Sequence, residues 1–487
     1  MAEDANLPGG QQSSSNDDRS REGGASADLP PDASDAMRRG LDAAASGDFE
    51  TAQEAFASAA MAAPRYAPAR FNHALANQRL GDSDIAVLSY LRAIYLDPSL
   101  VEGYKNLGHL YRERGEEELA LEAFRGAVEL DNSDDELYTN IGDLYLELGF
   151  YDDAALAYRQ AQIVNPGNTL AAERLREARE ESARQNEHIA ELEREVDDHP
   201  RDLDRYERLC DAYLIGRREQ DALNLANQMV ALAPDQPVAY ETLALAHETM
   251  NDAAEAAATW ERVTELVPDD IEAWERLANW RQELDDLEGA IDAYNHALKI
   301  DPDASAVRFN QAEALREAQR YDEAVAMYRE LIYTFRDASG DDDPLAEAYA
   351  GLTASLNLAE RYPEALQASQ EFLERFPEDP EASYERAAAY DGLGQHEEAI
   401  SAFERAVELD PLNPGIRNDL ASAYLTGGRA DAAVDMAESA VALEPEFATA
   451  HETLAQALLA SGRTAEAEEA AERAAELHAA LDAASPA

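Results

Sequence analysis

The sequence predicts an all-α array of about 12–13 stacked helix-turn-helix units, and three regularities carry that expectation. Alanine recurs every 34 residues, at Ala52, Ala86, Ala120 and Ala154, then Ala222, Ala256, Ala290 and Ala324, then Ala365, Ala399, Ala433 and Ala467. Proline recurs in a second phase of the same period, at Pro64, Pro98, Pro166, Pro200, Pro234, Pro268, Pro302, Pro377, Pro411 and Pro445. Glycine marks a third phase, at Gly47, Gly81, Gly115, Gly149, Gly394, Gly428 and Gly462. Each unit holds two short amphipathic helices, and neither can bury its apolar stripe without neighbours.

Within the unit each phase has a structural reason. Small residues at position 8 (Gly108, Gly142, Cys210, Ala244, Ala278) and alanine at position 20 let helix backbones approach closely. Aromatics at position 24 (Phe56, Tyr90, Phe124, Tyr158, Trp260, Tyr294, Tyr328, Phe403) fill the larger gaps. Glycine accepts the positive φ that ends the first helix, helix A. Proline stops the second, helix B, before the next unit begins.

These residues resemble the tetratricopeptide repeat (TPR). Residues 101–134 show Tyr104, Leu107, Gly108, Tyr111, Ala120, Phe124 and Ala127, departing from that pattern with Asn132 where proline is usual. Residues 271–304 show Trp274, Leu277, Ala278, Ala290, Tyr294, Ala297 and Pro302. The resemblance covers about 90% of the chain, in frames beginning at 33, 67, 101, 135, 169, 203, 237, 271, 305, 346, 380, 414 and 448. It implies a right-handed α-α superhelix, a TPR solenoid, whose concave face is lined by helix A.

Three stretches break the rhythm. Residues 1–32, rich in Gly, Ser, Gln and Asp, read as a disordered acidic tail. The frame 169–202 keeps Pro200 but carries Arg176 at the small position and His188 at the alanine position. Its run LAAERLREAREESARQNEHIAELEREV has neither Gly nor Pro, which fits one long charged helix or two poorly packed ones. Residues 339–345 (SGDDDPL) insert between frames as a loop or hinge. The expected division is a block 33–202 with a divergent last repeat, a block 203–338, a block 346–481 and a short tail 482–487.

Charge excludes several partners. The 487 residues carry 101 Asp+Glu against 40 Lys+Arg, a formal net charge of −61, and only Lys105 and Lys299 are lysines. Such a surface repels phosphate backbones and anionic membranes, so no nucleic-acid partner is expected. No apolar run is long enough to span a bilayer and the N-terminus is polar, so the expectation is a cytoplasmic protein without membrane insertion. The longest acidic runs are three residues, as in Glu116-Glu117-Glu118 and Asp341-Asp342-Asp343, so the charge is spread along the chain. Spread carboxylates with lysine nearly absent resemble proteins of extreme halophiles, and a halophilic archaeon is the expected source. At molar salt the screening length shortens from about 8 Å to about 3 Å, which makes such self-repulsion tolerable.

Catalytic signatures are missing. Lys105 follows Tyr104 and Lys299 follows Leu298, so neither belongs to a phosphate-cradling Gly-Lys-Ser/Thr loop. There is no GxSxG elbow, no HExxH helix and no histidine pair at metal-ligand spacing. Cys210 occupies a packed position and Trp260 and Trp274 occupy core positions. No catalytic, cofactor-binding or metal-binding residue is expected, nor a small-molecule substrate.

Binding is more legible. Helix A positions 2, 5, 6, 9, 12 and 13 should face the groove. Asn72, Asn106 and Asn140 stand at position 6 of successive frames, with Asn310 later, and resemble the asparagine ladder that holds extended peptide main chains in some superhelices of this family. The carboxylate-clamp pattern of domains that grip acidic chaperone tails falls on Lys105, His109, Asn140, Leu170 and Arg174, matching at three of five positions. Arg79 and Arg112 add positive charge nearby. The expected function is a non-catalytic scaffold for protein–protein interaction through the helix A groove. The alternatives are a co-chaperone-like receptor for acidic C-terminal peptides and a regulatory subunit of a separate enzyme.

Overall fold

The computed structural model describes residues 29–335 and 344–484, so the expected tail up to residue 28 and most of the 339–345 insert lie outside the described residues. Twenty-five α-helices and no strand occur among the described residues. The first four helix pairs are α1 (Pro31–Ser46) with α2 (Phe49–Ala62), α3 (Ala67–Leu80) with α4 (Ser83–Leu96), α5 (Val101–Glu113) with α6 (Glu117–Leu130), and α7 (Asp135–Glu147) with α8 (Tyr151–Val164). A single long helix follows, α9 (Thr169–Asp198). Four more pairs are α10 (Leu203–Ile215) with α11 (Glu219–Leu232), α12 (Pro237–Thr249) with α13 (Ala253–Leu266), α14 (Ile271–Glu283) with α15 (Leu287–Ile300), and α16 (Ser305–Glu317) with α17 (Tyr321–Phe335). The last four are α18 (Pro344–Leu358) with α19 (Tyr362–Arg375), α20 (Pro380–Gly392) with α21 (His396–Leu409), α22 (Pro414–Thr426) with α23 (Ala430–Leu443), and α24 (Ala448–Ala460) with α25 (Thr464–Ala484).

The turn within each pair is a left-handed C-cap. All seven glycines of the third phase have φ between +72° and +88°. At Gly115 the turn closes with its own N–H on the Arg112 carbonyl (3.1 Å) and the Glu116 N–H on the Tyr111 carbonyl (2.9 Å). Five pairs reach the same conformation without glycine, at Arg217, Asn251, Asp285, Gln319 and Glu360, with φ between +52° and +60°. A Cβ in that region costs about 1–2 kcal/mol, least for Asn and Asp.

Packing inside a pair follows from the small and aromatic positions. Phe56, Tyr90, Phe124, Tyr158, Tyr294 and Tyr328 are all within 1% of complete burial. A Cβ at Gly108 would stand 2.7 Å from the Phe124 ring, and one at Gly142 2.6 Å from the Tyr158 ring. Glycine there sets the helix-to-helix spacing.

α9 resolves the divergent frame as one 30-residue helix. Its first half packs Ala171, Leu175 and Ala178 against Ala154 and Tyr158. Its second half packs Ile189, Leu192 and Val196 against Tyr206, Leu209 and Cys210. No residue from 179 to 188 is buried, and no Gly or Pro interrupts the run, so nothing stops the helix. Across the 339–345 insert the core is continuous: Tyr328 and Leu331 belong to the same cluster as Ala348, Leu352 and Leu356. Pro344 and Leu345, expected in the insert, begin α18, with Leu345 buried. Pro31 and Asp32 likewise begin α1, and α25 runs on to Ala484.

The array also closes on itself. Helix α4 packs against α23, far away in the chain. Arg92, 7% exposed, donates to Asp435 (2.9 Å) and to Glu438 (3.2 Å). Arg70 reaches Asp435 at 3.5 Å, and on the rim Arg65 pairs with Glu466 at 2.7 Å. Leu412 packs against the apolar cluster that contains Phe71, Tyr90 and Phe124. Arg417 lies alongside, donating twice to the Pro411 carbonyl, and burial together with Arg92 pushes its guanidinium down to about 10.

Candidate functional site

Three of the cations singled out in the sequence, Lys105, Arg112 and Arg174, are matched by carboxylates. Lys105 donates to Asp134 at 2.8 Å and lies 3.8 Å from Glu102. Asp134 is the N-cap of α7, its other oxygen accepting from the Glu136 N–H, so Lys105 ties one repeat to the helix start of the next. Burial pulls the Lys105 ammonium down, but the bond and charge of Asp134 outweigh it and hold the group above its usual range. Arg112 pairs with Glu147 (2.6 Å) and Asp143 (3.7 Å), and Arg174 with Glu177 (2.8 Å) and Asp143 (3.9 Å).

The other candidates divide between core and surface. His109 sits edge-on to the Phe124 ring with centroids 5.1 Å apart, and burial chiefly lowers its pKa, leaving a neutral imidazole. Asn72 and Asn140 are buried, and Asn72 donates to the Pro68 carbonyl of its own helix at 2.7 Å. Asn106 is half-buried on α5, and Arg79 lies in the last turn of α3. Leu170, the mismatched clamp position, is exposed near the start of α9. The structure thus gathers Lys105, Arg112 and Arg174 with five carboxylates, and withdraws two of the asparagines from solvent.

An open trough lies elsewhere, on the helix A side chains of three successive pairs. One part, about 690 Å³, is lined by Glu248, Ile271, Glu272, Glu275, Arg276, Asn279 and Trp280. The adjoining part, about 450 Å³, shares Asn279 and adds Gln282, Glu283, Tyr294, Asn310, Glu313 and Glu317. Its floor is tied to the core by aromatic groups. Trp260 and Trp280 both donate to Glu248, at 2.7 and 2.6 Å, and Tyr294 donates to Asn279 at 2.6 Å. Tyr328 donates to Glu313. Burial first, then Glu272, raises the Glu275 carboxyl, while Asn310 donates to it at 3.2 Å.

The trough repeats in the register of the sequence pattern, and that register matches known repeats. Descriptions of the tetratricopeptide repeat match residues 37–101, 281–344, 359–414 and 418–486, and further ones match 108–149, 135–168, 237–280 and 392–438. The chain belongs to the tetratricopeptide repeat family. None of the matching TPR descriptions is of a catalytic domain. No curated protein matches the chain in sequence. Among solved structures it is similar to yeast Tom70, with 18% identity over 85% of this chain and 92% of that one, at a TM-score of 0.42. It is also similar to the APC/C hetero-tetramer Cut9-Hcn1 (14% identity, 88% and 96% covered, TM-score 0.37) and to Naa15/Naa10 bound to HypK-THB (13%, 92% and 76%, 0.31). At these values the likenesses say nothing of what this chain binds.

In the TPR frame the helix A residues of the trough stand at positions 1, 2, 5, 6, 9, 10, 12 and 13. Positions 2, 5, 6, 9, 12 and 13 are those expected to face the groove, whereas Ile271 at position 1 and Trp280 at position 10 are not, and of these residues only Asn310 stands out in the sequence. The signal for this region was carboxylates at positions 2, 5 and 13 of the frame at 271 and 9 and 13 of the frame at 305, in a chain where glutamate is everywhere. Among the described residues no three metal-ligating side chains gather, and no helix is long and apolar enough to cross a membrane. Cys210 is fully buried, and burial pushes its thiol up to about 12, which leaves it unreactive.

Proposed function

We propose that this TPR array is a non-catalytic scaffold that holds an extended segment of a partner protein in the trough along α12, α14 and α16. One observation carries the reading: six glutamates, Glu248, Glu272, Glu275, Glu283, Glu313 and Glu317, line the trough, and two arginines pair with them, Arg276 with Glu248 and Arg316 with Glu313. Complementary charge selects a segment bearing arginine or lysine. The amides of Asn279, Gln282 and Asn310 supply the donors and acceptors that a peptide main chain needs. A cation beside Glu275 would also offset the burial and the neighbouring Glu272 charge that raise its carboxyl.

The test is a fluorescence titration at molar KCl with two extended peptides that differ only in carrying arginine or glutamate. The arginine peptide should bind, and Glu275→Gln with Glu313→Gln should weaken it roughly tenfold. Preference for the acidic peptide, abolished by Lys105→Ala, would move the site to the first block and restore the chaperone-tail reading. Affinity purification at the same salt identifies the partner, and an enzyme among the captured proteins would make the array its regulatory subunit.

We also read the spread acidity as adaptation to a cytoplasm of molar salt, as in a halophilic archaeon. Thermal stability should then fall below about 0.5 M KCl, where screening lengthens. Equal stability in dilute buffer would remove this reading and leave the scaffold untouched.

A further inference from the structure

The contact between α4 and α23 has a polarity. In the ion pairs that cross it, the cations come from the second helix pair and the turn before it (Arg65, Arg70, Arg92), and the carboxylates from the last two pairs (Asp435, Glu438, Glu466). The two faces are complementary and neither is complementary to itself, so they join head to tail. Leu412 adds an apolar contact against the first block.

Two electrostatic forces act on this seam and they respond to salt differently. Repulsion between the acidic arms of a chain with a net charge of −61 acts through solvent, over distances that salt shortens from about 10 Å at 0.1 M to about 3 Å at 1 M. The Arg92–Glu438 pair is largely removed from solvent, Arg92 being 7% and Glu438 11% exposed, whereas Asp435 is half exposed; a pair placed as Arg92–Glu438 is screened much less. Added salt therefore weakens the force that separates the arms more than the force that joins them. An ordinary surface ion pair behaves in the opposite way.

We propose that the array is a salt-gated ring: the seam between the second helix pair and the last but one holds it shut at high ionic strength, and lowering the salt opens it while the repeats remain folded. The seam is the moving part, with Arg92 its central bolt.

The near absence of lysine makes the test clean. Arg65→Lys places an amine opposite Glu466, and a zero-length carbodiimide joins the two only while they touch. Mass spectrometry then counts the linked peptide, with helicity followed by circular dichroism in the same samples. The cross-link should rise between about 0.1 M and about 1 M KCl over the range in which helicity is constant. At about 1 M, adding Arg92→Glu should lower it at least roughly tenfold, and adding Asp435→Arg and Glu438→Arg to that should restore it. The gate is overturned if the cross-link falls with salt at constant helicity, or if Arg92→Glu leaves it unchanged at about 1 M. It is equally overturned if the linked product is a dimer, which would make the seam a contact between two copies. Because the Arg92→Glu arm needs no change of salt, loss of fold in dilute buffer does not blunt it.

Discussion

Lys105 and Arg92 are each held by two carboxylates, and they differ in where those carboxylates come from. Lys105 takes Glu102 from its own helix and Asp134 from the cap of the next repeat. Arg92 takes Asp435 and Glu438, 343 and 346 residues further along. The first arrangement belongs to the 34-residue register and is a property of neighbouring repeats. The second exists only because the path of the whole array brings its ends together. The same chemistry thus serves local cohesion in one place and global closure in the other.

The largest effect should come from the seam. Arg92→Met leaves Asp435 and Glu438 without their shared cation and should cost about 3 kcal/mol in urea unfolding at molar KCl. A loss no larger than that of Lys105→Ala would erase the distinction between the two sites.

Glu385 comes next, a buried carboxyl held by an amide: Asn357 donates to it at 2.6 Å. Burial outweighs the lowering effect of that Asn357 bond and, with Glu381 against the opposing charge of Arg316, pushes the carboxyl up to about 7 from 4.5. The folded state therefore holds this proton more tightly than the unfolded one. Stability should be greatest below the unfolded pKa, fall as pH rises from there to about 7, and stay level above. Glu385→Gln should remove that fall, gaining about 2–3 kcal/mol near pH 8 and nothing near pH 4. A parallel pH profile in both proteins would show that Glu385 is not the group responsible.

Effects confined to one repeat should be smaller. Glu360→Gly relieves a left-handed turn at φ +58° and should stabilise by about 1 kcal/mol in thermal unfolding, whereas Gly149→Ala at φ +78° should destabilise by a similar amount. Lys105→Ala should cost less than about 1 kcal/mol and lose much of that at high salt, read from the salt dependence of the unfolding midpoint. A salt-independent loss there would place Lys105 with Arg92 after all.

What was legible in the sequence was what repeats. The seven turn glycines, the aromatics at position 24 and the close approach at Gly108 and Gly142 all follow from residue type at a fixed phase. Arg217, Gln319 and Glu360 adopt the glycine conformation without announcing it, because the packing of both helices imposes the turn on whatever residue stands there. The site was less legible. Lys105 was conspicuous by rarity, yet its ammonium is engaged by a helix cap that only the next repeat supplies. Asn72, Asn106 and Asn140 share a groove position by phase, yet Asn72 and Asn140 are buried and Asn106 is half-buried, so phase alone does not set exposure. The carboxylates of the trough could not stand out against 101 acidic residues. The seam had no local signal at all.

The uninterrupted α9 has a consequence for everything beyond it. Thirty helical residues make a rigid shaft about 45 Å long, and each residue advances it about 1.5 Å while turning it about 100°. Its length is therefore a phase angle between the first four helix pairs and the last eight. Deleting one exposed residue between 179 and 188 would swing the far arm through more than a quarter turn while barely shortening the shaft. Adding seven would nearly preserve the heading and lengthen the shaft by about two turns. Whether the ends of the molecule meet is thus set by counting residues in a segment that touches neither of them.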